Sequence, residues 1–502
     1  GNVTFPLGVA TGNALRYFNQ GYRYLCAADH GRAASSFHEA QRLDPRCALC
    51  FWGEALALGP GLDSYDSPTA LASVPRAAAH VRLALALVSA DRVSGLQARD
   101  AALVQALARR YEAAQGAGGG VAFAARRRES EEAYARAMEA AAARHPDCHM
   151  EFLAAEARLL TLPWGRGPQA SQVRKQALEL LGAALRHQPQ HPGALRLYVC
   201  TLEHGPANIS FSLAPVLERI MPGAPHLQHL TGHLLVRSGD YGGALAAHRR
   251  AVGLVQWQVF PLHHLEGLVY LLRATGQLQE ARHASEALQR LAVQQLEAGV
   301  PEMGFSAERY VVQLLLTLLL CSDYRAVLAV VRPPQTRSYG LAVWHYARGM
   351  AFAGLGDLAR AQVESSALTA LPFAVAEELR MDPGRYGRLP VEKISKVYGL
   401  VLRAQVERLR RPFLPGGVRD LREAVQVADS LPYDEPPPFY LSPRLFLGEA
   451  LLRGGEPFGA KAEFVRELEA QGPFGPFALF GLQETCSALA TSGRGGQRGS
   501  GA

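Results

Sequence analysis

A pattern of large, small and helix-ending residues recurs along the chain at fixed spacing, and this repeat constrains the fold more than any other feature. Its clearest copy consists of Tyr17, Gly21, Tyr24, Ala33, Phe37, Ala40 and Pro45. Small residues let two helix backbones approach, aromatic residues fill the space between them, and proline ends the second helix. The pattern therefore predicts two short helices packed face to face.

Further copies of the pattern predict that helix pairs make up most of the chain. Good matches occur at residues 232–251, 349–361 and 448–464, and partial matches at 276–281 and 177–189. One pair cannot bury its own apolar face, so successive pairs must stack around a continuous core. No alternating pattern with a two-residue glycine turn indicates a β-hairpin. We predict an all-α solenoid, a right-handed superhelix of antiparallel helix pairs.

The opening of the chain resembles the tetratricopeptide repeat (TPR) family. The stretch NALRYFNQGYRYLCAADHGRAASSFHEAQRLDPRCALCFWGEALALGP matches the TPR spacing and is similar to the start of a long bacterial-type TPR branch. The stretches HPGALRLYVCTLEHGP and APHLQHLTGHLLVRSGDY are similar to the His-rich middle of that branch. The resemblance covers most of residues 10–485 and implies a TPR solenoid with a ligand-binding concave groove. It implies no particular reaction.

Five segments are predicted from the repeats and from breaks in composition. They are N-terminal TPR repeats over residues 1–115, a Gly/Arg-rich loop over 116–130, central repeats with a His-rich groove over 131–300, C-terminal repeats over 301–486, and a disordered tail over 487–502. Within the C-terminal repeats, the sequence PYDEPPPFY predicts a stiff, extended connector.

Charge and hydropathy exclude several classes of protein. The chain has 502 residues with 52 Lys and Arg against 45 Asp and Glu, and its basic residues are spread out, so we expect no nucleic-acid binding. The longest apolar run, Leu314 to Cys321, is far shorter than the roughly 20 residues that span a bilayer, so no membrane span is predicted. Two glycosylation sequons begin at Asn2 and Asn208, but without a secretory signal pattern we expect a cytoplasmic protein. The oligomeric state is not predicted.

Polar residues fall on groove-facing positions of three consecutive first helices. His226, His229 and His233 are spaced by three and four residues, which places them on one helix face. The equivalent positions of the neighbouring repeats are also polar. The predicted binding residues are Arg196, Cys200, Glu203, His229, His233, Arg237, His263, Glu266 and Arg273.

Three roles are open for this cluster. It can bind a partner peptide or small polar ligand in the groove, as TPR proteins do by resemblance. It can hold a divalent transition metal through His226, His229 and His233, with His263 or His264 as further ligands, because neutral imidazoles one turn apart can share an ion. It can also be a buried hydrogen-bond network that serves packing. We predict a protein-binding scaffold, with a metal-dependent protein or enzyme as the alternative; no catalytic residue is predicted.

Cys47 and Cys50 form a single CxxC motif after Pro45. Zinc sites usually pair two such motifs, and thioredoxin-like chemistry needs a βαβ context that this chain lacks. The motif therefore favours two small residues packed under Trp52. Two functional alternatives are open. One is a cysteine thiolate stabilised at the start of the helix, and the other is a metal site in which His30 joins the two cysteines as a third ligand.

Overall fold

A computed structural model of the chain shows an all-α architecture. It describes residues 3–7, 12–62, 68–90, 98–112, 119–162, 170–203, 211–254, 261–298, 304–334, 338–371, 390–411, 416–431, 434, 436–471 and 475–495. No β-strand occurs among these residues.

The chain forms two compact units, and the division between them falls inside a helix, after Thr231. Unit 1 comprises Gly1–Thr231, Gly253–Val259 and Pro383–Gly387; unit 2 comprises Gly232–Val252, Phe260–Asp382 and Arg388–Ala502. The predicted five-segment organisation has different boundaries, and the roles given to its segments stay predictions.

The helices of unit 1 follow one another with short connections. They are α1 (Gly12–Cys26), α2 (His30–Leu43), α3 (Ala48–Leu58), α4 (Pro68–Ser89), α5 (Ala98–Tyr111), α6 (Gly119–Arg144), α7 (Cys148–Leu160), α8 (Ala170–His187), α9 (Pro192–Glu203) and α10 (Ala214–Ile220). From α1 to α8, each odd-numbered helix pairs with the next to form a hairpin, and α1 also packs on α3 and α9.

Helix α11 (Pro225–Ser238) contains the division, and the remaining helices lie wholly or mainly in unit 2. They are α12 (Tyr241–Leu254), α13 (Pro261–Ala274), α14 (Leu278–Glu297), α15 (Gly304–Val311), α16 (Gln313–Leu320), α17 (Tyr324–Ala329), α18 (Ser338–Gly354), α19 (Leu358–Thr369), α20 (Val391–Arg410), α21 (Val418–Asp429), α22 (Pro443–Arg453), α23 (Pro457–Gln471) and α24 (Pro476–Gly495). From α13 onward, each helix packs on the next one in sequence, as in a helical-repeat array.

One turn recurs between the two helices of successive hairpins. Its central residue has a left-handed backbone with φ between +54° and +82°, and the next residue donates its N–H to a carbonyl five positions earlier, as from Asp29 to Tyr24 at 2.9 Å. This is the Schellman ending of a helix, which glycine adopts at least cost. The turn residues are Ala28, Gly239, Gly276, Ser322, Gly356 and Gly455. The shared turn indicates that these hairpins repeat the same helix–turn–helix structure.

Close approach of the paired helices follows the predicted pattern of small and large residues. A Cβ atom added at Gly21 would lie 3.0 Å from the Phe37 ring, and one at Gly448 would lie 2.6 Å from the Phe464 ring. In both hairpins the glycine precedes the ring by 16 residues (37 − 21 and 464 − 448). The prediction of an all-α, TPR-like array of helix pairs is confirmed.

Two segments predicted to lack structure are partly helical. Residues 119–130 belong to α6, which bends at Arg126, and the 116–118 part lies outside the described residues. Glu131, just beyond, is fully buried and pairs with Arg110 at 2.8 Å, which holds this stretch in the core. The predicted tail from residue 487 is wrong as far as Gly495, because α24 continues to that residue; 496–502 lie outside the described residues.

One helical stretch among the described residues is long and apolar enough to cross a membrane. It is Thr69–Ser89 in α4, with a mean hydropathy of 1.3. In unit 1 it packs between α3 and α5, with Val74, Ala77 and Val81 buried. Length and composition alone qualify it, and core helices of globular proteins meet the same criteria.

Candidate functional site

Unit 1 holds an extended piece of its own chain against the first helices of its hairpins. This piece, called segment 3–7, consists of Val3–Leu7. Its burial alternates, because Val3 and Phe5 are 2 % and 1 % exposed while Thr4 and Pro6 face outward. Alternation with period two is the signature of an extended peptide with one side buried.

Side chains of α1 and α5 bind the main chain of segment 3–7. The Phe5 N–H donates to Asn19 Oδ1 at 2.7 Å, and Asn19 is itself held by a 3.1 Å bond from its Nδ2 to the Leu15 carbonyl. The Val3 carbonyl accepts from Arg23 Nε at 3.0 Å. The Pro6 carbonyl accepts from Arg99 Nη2 at 2.5 Å. These side chains recognise groups that every peptide carries.

The Phe5 ring fills a pocket built from aromatic rings of α1, α3 and α7. Its centroid lies 5.1 Å from Tyr22, 4.9 Å from His149 and 6.1 Å from Trp52. The Arg99 guanidinium covers the ring at 4.9 Å, within the range of a cation–π contact. An aromatic side chain is therefore matched by both the apolar walls and the charge above it.

Tyr22, His149 and His191 form a hydrogen-bonded chain beneath this pocket. The Ala194 N–H donates to His191 Nδ1 at 3.1 Å, so the proton of the neutral ring is on Nε2, 3.2 Å from the Tyr22 hydroxyl oxygen. The Tyr22 hydroxyl in turn lies 2.8 Å from His149 Nδ1, to which it can donate. Burial raises the pKa of Tyr22 well above its ordinary value and lowers the pKa of His149 to about 4 and of His191 to about 3. The chain is therefore neutral at pH 7.

Cys148 adjoins this chain and makes the group resemble a metal site. Its sulfur and one nitrogen each of His149 and His191 lie within 4.8 Å of one another. The bonding pattern argues against a metal, because His191 Nε2 carries its proton and the Cys148 thiol donates to Gln188 Oε1 at 3.3 Å. Burial also raises the pKa of the thiol to about 11, which disfavours the thiolate. These residues fit a neutral packing network better than a metal centre.

In unit 2, the predicted residues Glu266 and Arg273 belong to a buried ionic network. Arg309 Nε donates to Glu266 Oε1 at 2.6 Å, and Arg309 also pairs with Asp434. Arg273 donates to Gln313 Oε1 at 3.0 Å. Burial raises the pKa of Glu266 and lowers that of Arg273 to about 10. Both side chains are engaged inside the unit, which supports the packing interpretation at these two positions.

The predicted proline-rich connector is fixed by this network. Arg309 Nη2 donates to the Pro436 carbonyl at 2.7 Å, and the Tyr398 hydroxyl donates to the Pro438 carbonyl at 3.0 Å. Asp434 is 5 % exposed. The described part of the connector forms neither helix nor strand and is bound to α15 and α20 by its main chain; its extended conformation stays a prediction.

Four histidines of unit 2 lie close together. His233 is 6.4 Å from His263 and 5.9 Å from His248 between ring centroids, and His263 is 6.0 Å from His264. One nitrogen of His233 lies within 4.8 Å of one of His263. His248 Nδ1 donates to the Ala244 carbonyl at 3.1 Å, and burial lowers the pKa of His248 to about 3. The predicted proximity of His233 and His263 is thus found, with His248 as a neighbour that the sequence pattern did not indicate.

Other predicted binding residues are dispersed. Arg196, 2 % exposed, donates from Nε to the Cys26 carbonyl at 3.1 Å and pairs with Glu156 at 3.4 Å. Glu203 is the last residue of α9, and its side chain lies outside the described part of the structure. Cys200 and Arg237 are half-buried. Their role in binding stays a prediction.

The predicted metal ligands on α11 are also buried. The rings of His226 and His229 stack with centroids 6.4 Å apart, and the two residues are 6 % and 0 % exposed. His233 lies one turn further along the same helix. Their shared face confirms the predicted helical spacing, while metal binding stays a prediction.

The CxxC motif forms a disulfide between Cys47 and Cys50 at the start of α3. Both residues are buried, as predicted for a packed pair, but the bond between them was not predicted. A bonded pair offers no thiolate, so the alternative of a reactive thiolate does not describe this state of the protein. The two residues act here as a covalent link across the first turn of α3.

Sequence reasoning missed segment 3–7 and the Tyr22, His149 and His191 chain. The stretch VTFPL did carry a signal, because its apolar residues alternate with Thr4 and Pro6. Nothing in the sequence pairs Tyr22 with histidines more than 120 residues away, as the separation of 127 residues from His149 illustrates. The packing of α1 and α7 on α9 brings them together.

Fold and site together define a TPR-like helical-repeat protein that holds its own segment 3–7 against the first helices of the hairpins in unit 1. No protein-family model matches the chain, and no curated protein matches it. Among solved structures, the P58(IPK) TPR domain is similar with 13 % identity and a TM-score of 0.21, covering 96 % of this chain and 99 % of that one. Yeast Tom70 is similar with 12 % identity, a TM-score of 0.30 and coverage of 96 % and 89 %. The Cut9–Hcn1 hetero-tetramer of the APC/C is similar with 13 % identity, a TM-score of 0.28 and coverage of 95 % and 90 %. At such TM-scores the likeness says nothing about what this chain binds.

Proposed function

We propose that the protein is an interaction scaffold that binds an extended peptide against the first helices of unit 1. The observation that carries this proposal is the set of bonds from Asn19, Arg23 and Arg99 to the main chain of segment 3–7. Main-chain hydrogen bonds supply affinity for any extended peptide, and a side-chain pocket supplies specificity. The helices of unit 1 combine both elements in one place.

The binding residues in this proposal differ from those predicted by sequence. Arg196, Glu266 and Arg273 satisfy their hydrogen bonds inside the protein. Buried, satisfied polar groups are costly to reassign to a ligand, because each would lose its present partner. Asn19 and Arg23 already bond a peptide, so they are the better candidates for recognition.

The test is a random-peptide selection on the full chain carrying Phe5→Ala, which weakens occupation by segment 3–7. Selected peptides are then measured by fluorescence anisotropy on the same protein with Asn19→Ala or Arg23→Met added. We expect about tenfold weaker binding for each, since each change removes a charged or buried main-chain bond. Arg249→Met, at an exposed ion pair with Glu280 in unit 2, is the matched control and should leave binding unchanged.

Failure to select any peptide, or equal affinity for the Asn19→Ala, Arg23→Met and Arg249→Met proteins, would show that unit 1 is not a peptide receptor. Circular dichroism of each variant separates loss of binding from loss of fold.

A transition-metal site is the second candidate function, supported by the proximity of His233 and His263 nitrogens. Imidazole nitrogens are ordinary ligands of Zn²⁺ and Cu²⁺. Metal analysis of the purified full chain, compared with His263→Gln, tests this candidate. Less than stoichiometric metal in the unmodified protein, after incubation with Zn²⁺ or Cu²⁺ at neutral pH, would remove it.

A further inference from the structure

We propose that segment 3–7 is a resident ligand of unit 1 and that an acidic peptide containing a Phe-Pro pair displaces it. This inference rests on the proposed function, because the same main-chain bonds would hold the incoming peptide. It adds the identity of the ligand class and the competition with the chain's own segment.

Segment 3–7 belongs to no helix pair, and it is bound by side chains of the helices as a separate peptide ligand would be. Two of its carbonyls and one N–H are bonded by side chains of α1 and α5, and none of these bonds comes from a neighbouring main chain. Val3 and Phe5 enter the unit while Thr4 and Pro6 face outward. An unconnected peptide of the same sequence pattern could make every one of these contacts.

The aromatic pocket dictates the central residue of the ligand. Phe5 is 1 % exposed and lies against the rings of Phe18, Tyr22, Trp52 and His149. A buried aromatic side chain surrounded by other rings is the usual form of an energetic hot spot in a peptide interface. Alanine at this position would leave the pocket unfilled.

Proline at the following position suits the bound conformation. The Pro6 carbonyl is the acceptor for Arg99, and proline lacks only an N–H, which this position does not use among the described bonds. Proline also restricts the free peptide to extended conformations, which lowers the entropy lost on binding. A Phe-Pro pair therefore combines the pocket-filling ring with a pre-extended backbone.

The charge beside segment 3–7 selects an acidic neighbour. Thr4 lines a surface cavity of about 780 Å³ together with Arg16 and Arg23, and no acidic residue is among the described residues that line it. A carboxylate at the Thr4 position would sit in this positive field without displacing any buried group. Opposite charges at a partly exposed interface raise affinity and make it sensitive to salt. The favoured external ligand is thus apolar, acidic, Phe, Pro in that order.

Segment 3–7 competes with an external peptide for the same site because it is covalently attached to the protein. A covalently attached segment acts at an effective concentration in the millimolar range, which an external peptide must overcome. The acidic residue that segment 3–7 lacks gives the external peptide an advantage that the resident does not have. The unmodified protein should therefore bind such a peptide weakly, and a protein with a weakened resident segment should bind it well.

The experiment uses fluorescein-labelled Val-Glu-Phe-Pro-Leu, Val-Thr-Phe-Pro-Leu and Val-Glu-Ala-Pro-Leu as probes in anisotropy titrations. The proteins are the unmodified full chain, the full chain with Phe5→Ala, and a chain lacking residues 1–7. We expect the Glu-containing Phe-Pro probe to bind the two altered proteins about tenfold or more tightly than the unmodified chain. At low salt, and not at high salt, the affinity of Val-Glu-Phe-Pro-Leu should exceed that of Val-Thr-Phe-Pro-Leu several-fold. Val-Glu-Ala-Pro-Leu should not bind.

A second measurement needs no variant and covers the case in which the shortened chain fails to fold. Hydrogen exchange of the unmodified chain, with and without excess Val-Glu-Phe-Pro-Leu, should show faster exchange of the Phe5 amide when the peptide is present, because the Asn19 bond to it is lost. Unchanged Phe5 exchange at saturating probe would overturn displacement. Equal binding of the Phe and Ala probes would overturn the ligand class.

These outcomes are distinct from failure of the proposed function. If library peptides without Phe-Pro bind the Phe5→Ala protein in an Asn19-dependent manner, the scaffold proposal stands and this inference falls. If no peptide of any sequence binds, both fall.

Discussion

Arg309 Nε donates to Glu266 Oε1 at 2.6 Å in the interior of unit 2, where Glu266 is 2 % exposed. Arg309 also pairs with Asp434, so one guanidinium neutralises two carboxylates. Burial acts to lower the pKa of Arg309, but the charges of Asp434 and Glu266 hold it well above its ordinary value. The arrangement ties α13, α15 and the proline-rich connector to one another.

Removing this guanidinium should be more damaging than removing one of its carboxylates. Arg309→Met leaves two buried carboxylates without their cation, and we expect a loss of about 3–5 kcal/mol in the free energy of unfolding. Glu266→Gln leaves the Arg309–Asp434 pair intact and should cost less. Urea denaturation of the three proteins measures the difference. A Glu266→Gln protein less stable than Arg309→Met would contradict this account of the network.

Close packing of hairpin helices predicts opposite effects for two helical glycines, Gly448 in unit 2 and Gly253 in unit 1. Gly448→Ala would bring a Cβ within 2.6 Å of the Phe464 ring, so we expect a loss of about 1–3 kcal/mol. Gly253 in α12 is exposed with no atom within 4 Å of an added Cβ, so Gly253→Ala should stabilise by up to about 1 kcal/mol through helix propensity. Thermal denaturation of both variants is the measurement. Equal shifts in Tm would mean that the glycine pattern reflects sequence bias and not packing.

Buried neutral histidines predict loss of stability in acid. Burial lowers the pKa of His149 to about 4, against the opposing charge of Asp147, and the pKa of His191 to about 3. The unfolded chain takes up protons below about pH 6.5 while these folded-state rings stay neutral, so stability present above pH 6.5 is lost as the pH falls toward the folded pKa values. Each of the two rings should lower the free energy of unfolding by about 2 kcal/mol between pH 6.5 and pH 5.

The check is urea denaturation at pH 7.5 and pH 5.0 for the unmodified chain and for His191→Gln. The variant should lose less stability than the unmodified chain between the two pH values. An unchanged difference would show that His191 is protonated in the folded protein at pH 5.0 as it is in the unfolded chain.

The Cys47–Cys50 bond should make a modest contribution to stability. A disulfide that closes so short a loop contributes about 2 kcal/mol in the chain-entropy description. Cys47→Ser with Cys50→Ser should lower the unfolding free energy by that amount, and Cys486→Ser, an exposed free cysteine, is the control. Alkylation of the denatured protein before reduction should label five of the seven cysteines (7 − 2 = 5). Labelling of all seven would show that the bond is absent.

Local sequence patterns were sufficient for the helix pairs. Gly21 and Phe37, or Gly448 and Phe464, are close in the chain, and their spacing alone places the small residue opposite the large one. The His226, His229 and His233 stripe was predictable for the same reason, since helix geometry fixes which residues share a face. The stretch at 116–130 was predicted to be a loop or a helix break, and the kink of α6 at Arg126 matches the helix break. The predicted loop at 119–130 and the predicted tail at 487–495 are helical, because glycine and arginine content was given more weight than helix propensity.

The sequence by itself determined the repeated hairpin, because every contact that defines it lies within one pair of helices. Tertiary structure decided the candidate site. Phe5 contacts the His149 ring, and Tyr22 hydrogen-bonds to His191, only when several hairpins have stacked and α1 has packed on α9. Contacts over such separations depend on the summed rotation of many hairpins, which no local pattern encodes. For that reason the sequence predicted a polar groove formed by the central repeats, whereas the structure places segment 3–7 in a site formed by the helices of unit 1.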